Sequence, residues 1–169
     1  MIRVLSTFTR IAADMLLKAA AFGLVLMTVI VGWQVFGRYV LNSTPSWSEQ
    51  AALTLMIWYV SLAAAAGVRL GFHIRIVALE DAVSPRLRRG MQVVSNSLIG
   101  VCGVAMFVWG GELVLRTWSH VVPSLGIPRG LTYLALPISG ALMALFAFEQ
   151  VLERLGFRAP ETIPDKDAP

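Results

Sequence analysis

The sequence predicts an all-α integral membrane protein of four transmembrane helices, with an N-terminal amphipathic helix on the membrane surface and both termini cytoplasmic. Composition is the first reason. Of 169 residues, 57% are hydrophobic and 14% charged, whereas soluble domains average roughly 45–50% apolar and about 25% charged. That excess needs a non-aqueous solvent, and it excludes a disordered chain. The second reason is that Asp, Glu, Lys and Arg are absent from four long stretches, 19–37, 50–68, 90–111 and 130–148. At 1.5 Å per helical residue each covers about 29–33 Å, the thickness of a hydrocarbon core. Their continuous apolarity argues against barrel strands, which alternate lipid-facing and lumen-facing residues. The third reason is charge placement. Of the 14 Lys and Arg, only Arg38, Arg116 and Arg129 fall in the first and third connections; the rest lie in the N-terminal segment, the second connection and the tail. Basic residues favour the cytoplasmic side, so the net charge of +4 reports orientation rather than a nucleic-acid partner.

Residues 2–18 place Arg3, Arg10, Asp14 and Lys18 on one helical face, with Leu5, Phe8, Ile11, Met15 and Leu16 largely opposite. This predicts a helix lying in the interface. The charges interrupt the apolar region that a cleavable signal needs. After the first span, Ser46 and Glu49 have the S-x-x-E spacing of a capping box for helix two. Alternatively Arg38 and Glu49, which end one span and begin the next, pair with each other or present charge to a partner. Ser84 before Pro85 reads as an N-cap with proline at the first helical position. The third helix then continues past its apolar run through Glu112 and Arg116, for about 35 residues and 52 Å, and must tilt or project from the bilayer. Pro137 predicts a kink in the fourth span. Trp33, Tyr39, Trp47, Trp109, Trp118 and Tyr133 fall near the outer helix ends, as an interfacial belt requires. Residues 1–158 form one membrane domain, and the proline-rich stretch 159–169 reads as a disordered tail.

The chemistry is marked by absence. Inside the four runs the ionisable groups are Cys102, Tyr59 and Tyr133, whereas ion-coupled transporters and proton relays place charged side chains at membrane depth. A Na⁺ site of backbone carbonyls is the coupling device this leaves open. His73 and His120 fall in connections on opposite sides and cannot share a haem. No CxxC, HExxH, phosphate loop or nucleophile triad is present, so neither an enzyme nor a cofactor or metal site is expected. The single cysteine, Cys102, excludes an intrachain disulfide and reads as a packing residue. Ala19 with Gly23, Ala63 with Gly67 and Gly140 with Ala144 have the small-residue spacing of close helix contacts, within the chain or to a partner.

Residues 34–50 read QVFGRYVLNSTPSWSEQ. Phe36, Arg38, Tyr39 and Asn42 supply an aromatic-x-Arg-Tyr-x-x-Asn segment, and Pro45, Trp47 and Glu49 a Pro-x-Trp-x-Glu lead into helix two. Trp58 lies partway along that helix. Arg69, Gly71, His73 and Ile74 form Arg-x-Gly-x-His-Ile, while Ile127, Pro128 and Pro137 place Ile-Pro before helix four and a proline within it. Over residues 15–155 the chain resembles the small, DctQ-like membrane subunit of tripartite ATP-independent periplasmic (TRAP) transporters. One departure is that Ile76, Val77 and Ala78 follow Arg75, where similar proteins usually carry an Asp; Glu80 and Asp81 come later.

The resemblance implies a non-catalytic scaffold in a bacterial inner membrane. Its implied partners are a large Na⁺-coupled membrane subunit, a periplasmic binding protein that delivers an organic anion, and the lipid bilayer. Candidate partner-contact or interfacial residues are Arg38, Tyr39, Asn42, Trp47, Glu49, Arg69, His73, Arg75 and Pro128. The alternatives are an autonomous small transporter and the membrane anchor of a redox complex.

Overall fold

From Ile2 to Gly23 the chain has neither proline nor glycine, and the junction Leu16-Leu17-Lys18-Ala19-Ala20-Ala21 consists of strong helix formers. In the computed structural model, which describes residues 2–71 and 85–152, one unbroken helix results, α1 (Ile2–Tyr39). The surface helix expected over 2–18 is therefore not a separate element: it continues into the first span as a rod of about 57 Å. Helix α2 (Ser48–Leu70) stops at Gly71, whose φ of 72° is left-handed and whose N–H caps the Gly67 carbonyl. Helix α3 (Pro85–Thr117) carries its outer end through Glu112 and Arg116, whose side chains pair at 2.6 Å. Ser84 and the tail lie outside the described residues.

A short antiparallel hairpin follows, β1 (Val121–Val122) with β2 (Ile127–Pro128). It leads into α4 (Arg129–Tyr133) and α5 (Ala135–Leu152). The disruption expected at Pro137 is a break at Leu134. Proline offers no N–H to the carbonyl four residues back, and the helix restarts at Ala135. Four helical stretches have the length and apolarity to cross a membrane: Thr9–Tyr39, Ser48–Leu70, Gly90–Thr117 and Arg129–Leu152. Each contains its predicted charge-free run.

The helices form a row rather than a closed bundle, in the order α1, α2, α5, α3. The two central helices run parallel: Thr54 meets Thr132 near one end, and Val68 meets Gln150 near the other. Between α3 and α5 the approach is backbone to backbone. A Cβ on Gly103 would lie 2.8 Å from the Gly140 carbonyl oxygen, and one on Gly140 would lie 2.7 Å from the Phe107 nitrogen. Gly140 and Ala144 are thus an intrachain packing face, and Gly23 plays the same part against Tyr59 of α2. Gly67 faces open space. The core of Ala13, Ala65, Val68, Met143, Phe146 and Ala147 sits toward the end of the row where α1 begins and α2 and α5 finish. Cys102, expected to pack, is instead exposed on the outside of α3. A row leaves it there because α3, at the end of the row, packs on one side, against α4 and α5.

Candidate functional site

The motif residues gather at the end of the row where α1 passes to α2. Helix α1 ends because the chain doubles back on itself: the Ser43 N–H bonds the Gly37 carbonyl at 3.0 Å. A Cβ at Gly37 would come within 2.8 Å of the Ser43 oxygen, so the fold-back needs glycine there. Asn42 makes the turn at a φ of 50°, a left-handed conformation that asparagine tolerates better than most residues. That is a backbone reason for the asparagine of the motif. Beyond the turn Ser48, fully buried, donates its hydroxyl to the Pro45 carbonyl at 2.8 Å, and α2 starts.

This local geometry overturns the capping box. The N-cap is Trp47, which makes no side-chain cap bond. Ser46 therefore sits one residue too early and Glu49 one position short of the site from which it would reach back. The structure does not bring Arg38 and Glu49 into an ion pair either. Both are exposed, as are Tyr39, at 76%, and Trp47. The result is a surface of two unlike charges and two aromatic rings at the level of an interfacial belt. Pro128 pairs across the hairpin with Val121 and forms the N-cap position of α4, where its fixed φ of −58° suits the turn. The hairpin is tied in by the Arg129 N–H, which bonds the His120 carbonyl at 2.7 Å. Behind it, Trp58 donates its indole N–H to the Leu131 carbonyl at 3.2 Å, anchoring α4 on α2.

At the opposite end the structure builds a second polar cluster around Arg69. Its Nε lies 3.5 Å from a carboxylate oxygen of Glu149, which is 3% exposed, and 3.3 Å from the hydroxyl of Thr9. Gln150 donates to the Val68 carbonyl beside them. One side chain thus ties α1, α2 and α5 together. Glu149, Gln150 and Thr9 were not among the residues singled out from sequence. The signal that could have found them is that runs 50–68 and 130–148 are equal in length and end at Arg69 and Glu149, so parallel helices place those charges at one depth. His73 and Arg75 lie outside the described residues. No cluster of three or more metal-ligating side chains occurs among the described residues.

Compared with known families, residues 27–156 match the model of the DctQ component of tripartite ATP-independent periplasmic transporters. The chain belongs to the DctQ family. It is a transporter permease subunit rather than an enzyme, and a multi-pass inner-membrane protein. It is 31% identical over 128 residues to the C4-dicarboxylate TRAP transporter small permease protein DctQ of Rhodobacter capsulatus, covering 72% of this chain and 53% of that one. With a putative TRAP transporter small permease protein of Haemophilus influenzae, identity is 24% over 157 residues, 93% of this chain and 96% of the relative. An isethionate TRAP transporter permease protein, DctMQ, of Oleidesulfovibrio alaskensis is 27% identical over 135 residues, 73% of this chain but 21% of its own length. This DctQ subunit therefore spans about half the length of the Rhodobacter relative and about a fifth of the Oleidesulfovibrio one. The matched region takes in the whole α1–α2 turn, the hairpin and the Arg69–Glu149 pair.

Proposed function

We infer that this small permease subunit acts as a fixed scaffold for a large membrane subunit, which moves an organic acid with Na⁺ coupling after a periplasmic binding protein delivers it. Both termini are cytoplasmic in this reading. The carrying observation is the interior of the row. The described spans hold one buried carboxylate, Glu149, and it lies at a helix end with Arg69 Nε 3.5 Å away. A chain whose membrane interior lacks free charge has little with which to couple an ion. A long α1, an interfacial hairpin and exposed aromatic rings suit a part held at fixed depth against a moving one.

The test uses proteoliposomes holding the large subunit and binding protein, with or without this chain. Uptake should require the chain, and the chain alone should show none. Among the described spans, the break before Pro137 is the interruption whose freed carbonyl an ion would need. With Pro137→Ala, the Na⁺ concentration giving half-maximal uptake per assembled complex should therefore stay unchanged. A shift in that value at normal assembly, or uptake by this chain alone, overturns the scaffold reading.

A further inference from the structure

The row leaves a groove of about 770 Å³ between α3 and α5. It exists because Gly100 and Ala147 line it with almost no side chain, while Phe148 and Trp109 stand at its margins. From Asn96 to Trp109 the helical rise is about 20 Å. One leaflet of the hydrocarbon core is about 15 Å deep, so a lipid tail entering from either side ends partway along. A helix crossing the membrane follows the whole length.

The chemistry of the lining points the same way. Asn96 lies inside the charge-free run 90–111, is 8% exposed, lines the groove, and has no hydrogen-bond partner among the described residues. Ser97 beside it is exposed in the same groove. A carboxamide left unpaired in hydrocarbon is unfavourable, and an acyl chain has nothing to offer it. A neighbouring helix does, because Ser, Thr, Asn and Gln side chains hydrogen-bond across helix pairs in membranes.

We propose that this groove receives a transmembrane helix of the large membrane subunit, with Asn96 and Ser97 as its polar contacts; this rests on the scaffold reading above. The large subunit is favoured over a second copy by the Oleidesulfovibrio relative, where the matching stretch is 21% of one longer permease chain. Covalent linkage of a matching module to the rest of one permease chain raises the effective concentration of the two for each other.

The experiment places the photo-crosslinker p-benzoylphenylalanine at Val101 or Val104, which line the groove, or at exposed Val25 on α1. Each full-length variant is co-expressed with the large subunit and irradiated in membranes. Adducts of the combined mass should form from Val101 and Val104 and be weak or absent from Val25. Asn96→Leu should lower co-purified large subunit about five- to thirtyfold, the effect of one interhelical hydrogen bond of 1–2 kcal/mol. Adducts to lipid alone, adducts of twice this chain's mass, or large-subunit adducts from Val25 only would overturn the groove assignment. If the large subunit still co-purifies with the unaltered chain, the scaffold reading survives that result. If it never co-purifies, both fail.

Discussion

Arg69 and Glu149 separate two kinds of energy that a buried ion pair combines. Removing one partner leaves a charge without compensation at a site that is 3% exposed on the Glu149 side, which costs about 3–5 kcal/mol. Replacing both with apolar side chains of similar size is often neutral. Thermal unfolding of the purified chain in detergent should therefore show Arg69→Met destabilised and Arg69→Met with Glu149→Leu close to the parent. A double variant as unstable as the single one would show that Arg69 matters through Thr9 instead. Glu49 behaves differently. It holds no cap bond, so Glu49→Gln should change stability by less than about 0.5 kcal/mol, as for surface substitutions. Its effect, together with the larger effect of Arg38→Ala, should appear in the yield of co-purified large subunit. At this scale the sequence marked which side chains sit at the turn, because their types and spacing are unusual. It could not reveal that Ser46 misses the N-cap, which depends on one residue of register, nor that Arg69 meets Glu149, which depends on two helices being neighbours.

The α3–α5 contact sets a sharper test for the packing of elements. Any side chain at Gly140 meets backbone atoms of α3 at 2.7 Å, which cannot move aside without parting the helices. Gly140→Val should therefore destabilise the chain by about 1–3 kcal/mol, the range for overpacking, seen as a lower melting temperature. Gly67→Ala is the counterpart. With nothing within 4 Å of its added methyl, it should be neutral or stabilising by up to about 1 kcal/mol, the helix-propensity difference. Helix existence was legible because charge-free runs report membrane thickness directly. The continuation of α3 through Glu112 and Arg116 was legible too. The fusion of the predicted surface helix with the first span was not legible: an amphipathic pattern reports which face is apolar, not whether the backbone bends. Likewise Pro137 signalled disruption, but where the helix breaks depends on the hairpin and α4 packed before it.

For the whole molecule, the placement of basic residues predicts that reporters fused after Pro85 and Lys166 read cytoplasmic and those after Ser43 and Ser124 read periplasmic. Periplasmic activity at Pro85 would invert the orientation. What the charge count leaves open is neighbour order, and the order α1, α2, α5, α3 bears on how the chain is made. As the ribosome delivers it, α1 and α2 find each other at once. Helix α3 then enters the bilayer with no resident neighbour, and its Gly103 face must wait in lipid, or beside the insertion machinery, for the last helix to emerge. Only α4 and α5 join the α1–α2 pair to α3, so chains stalled before residue 129 should hold two independent membrane pieces, open to quality-control proteases until synthesis ends.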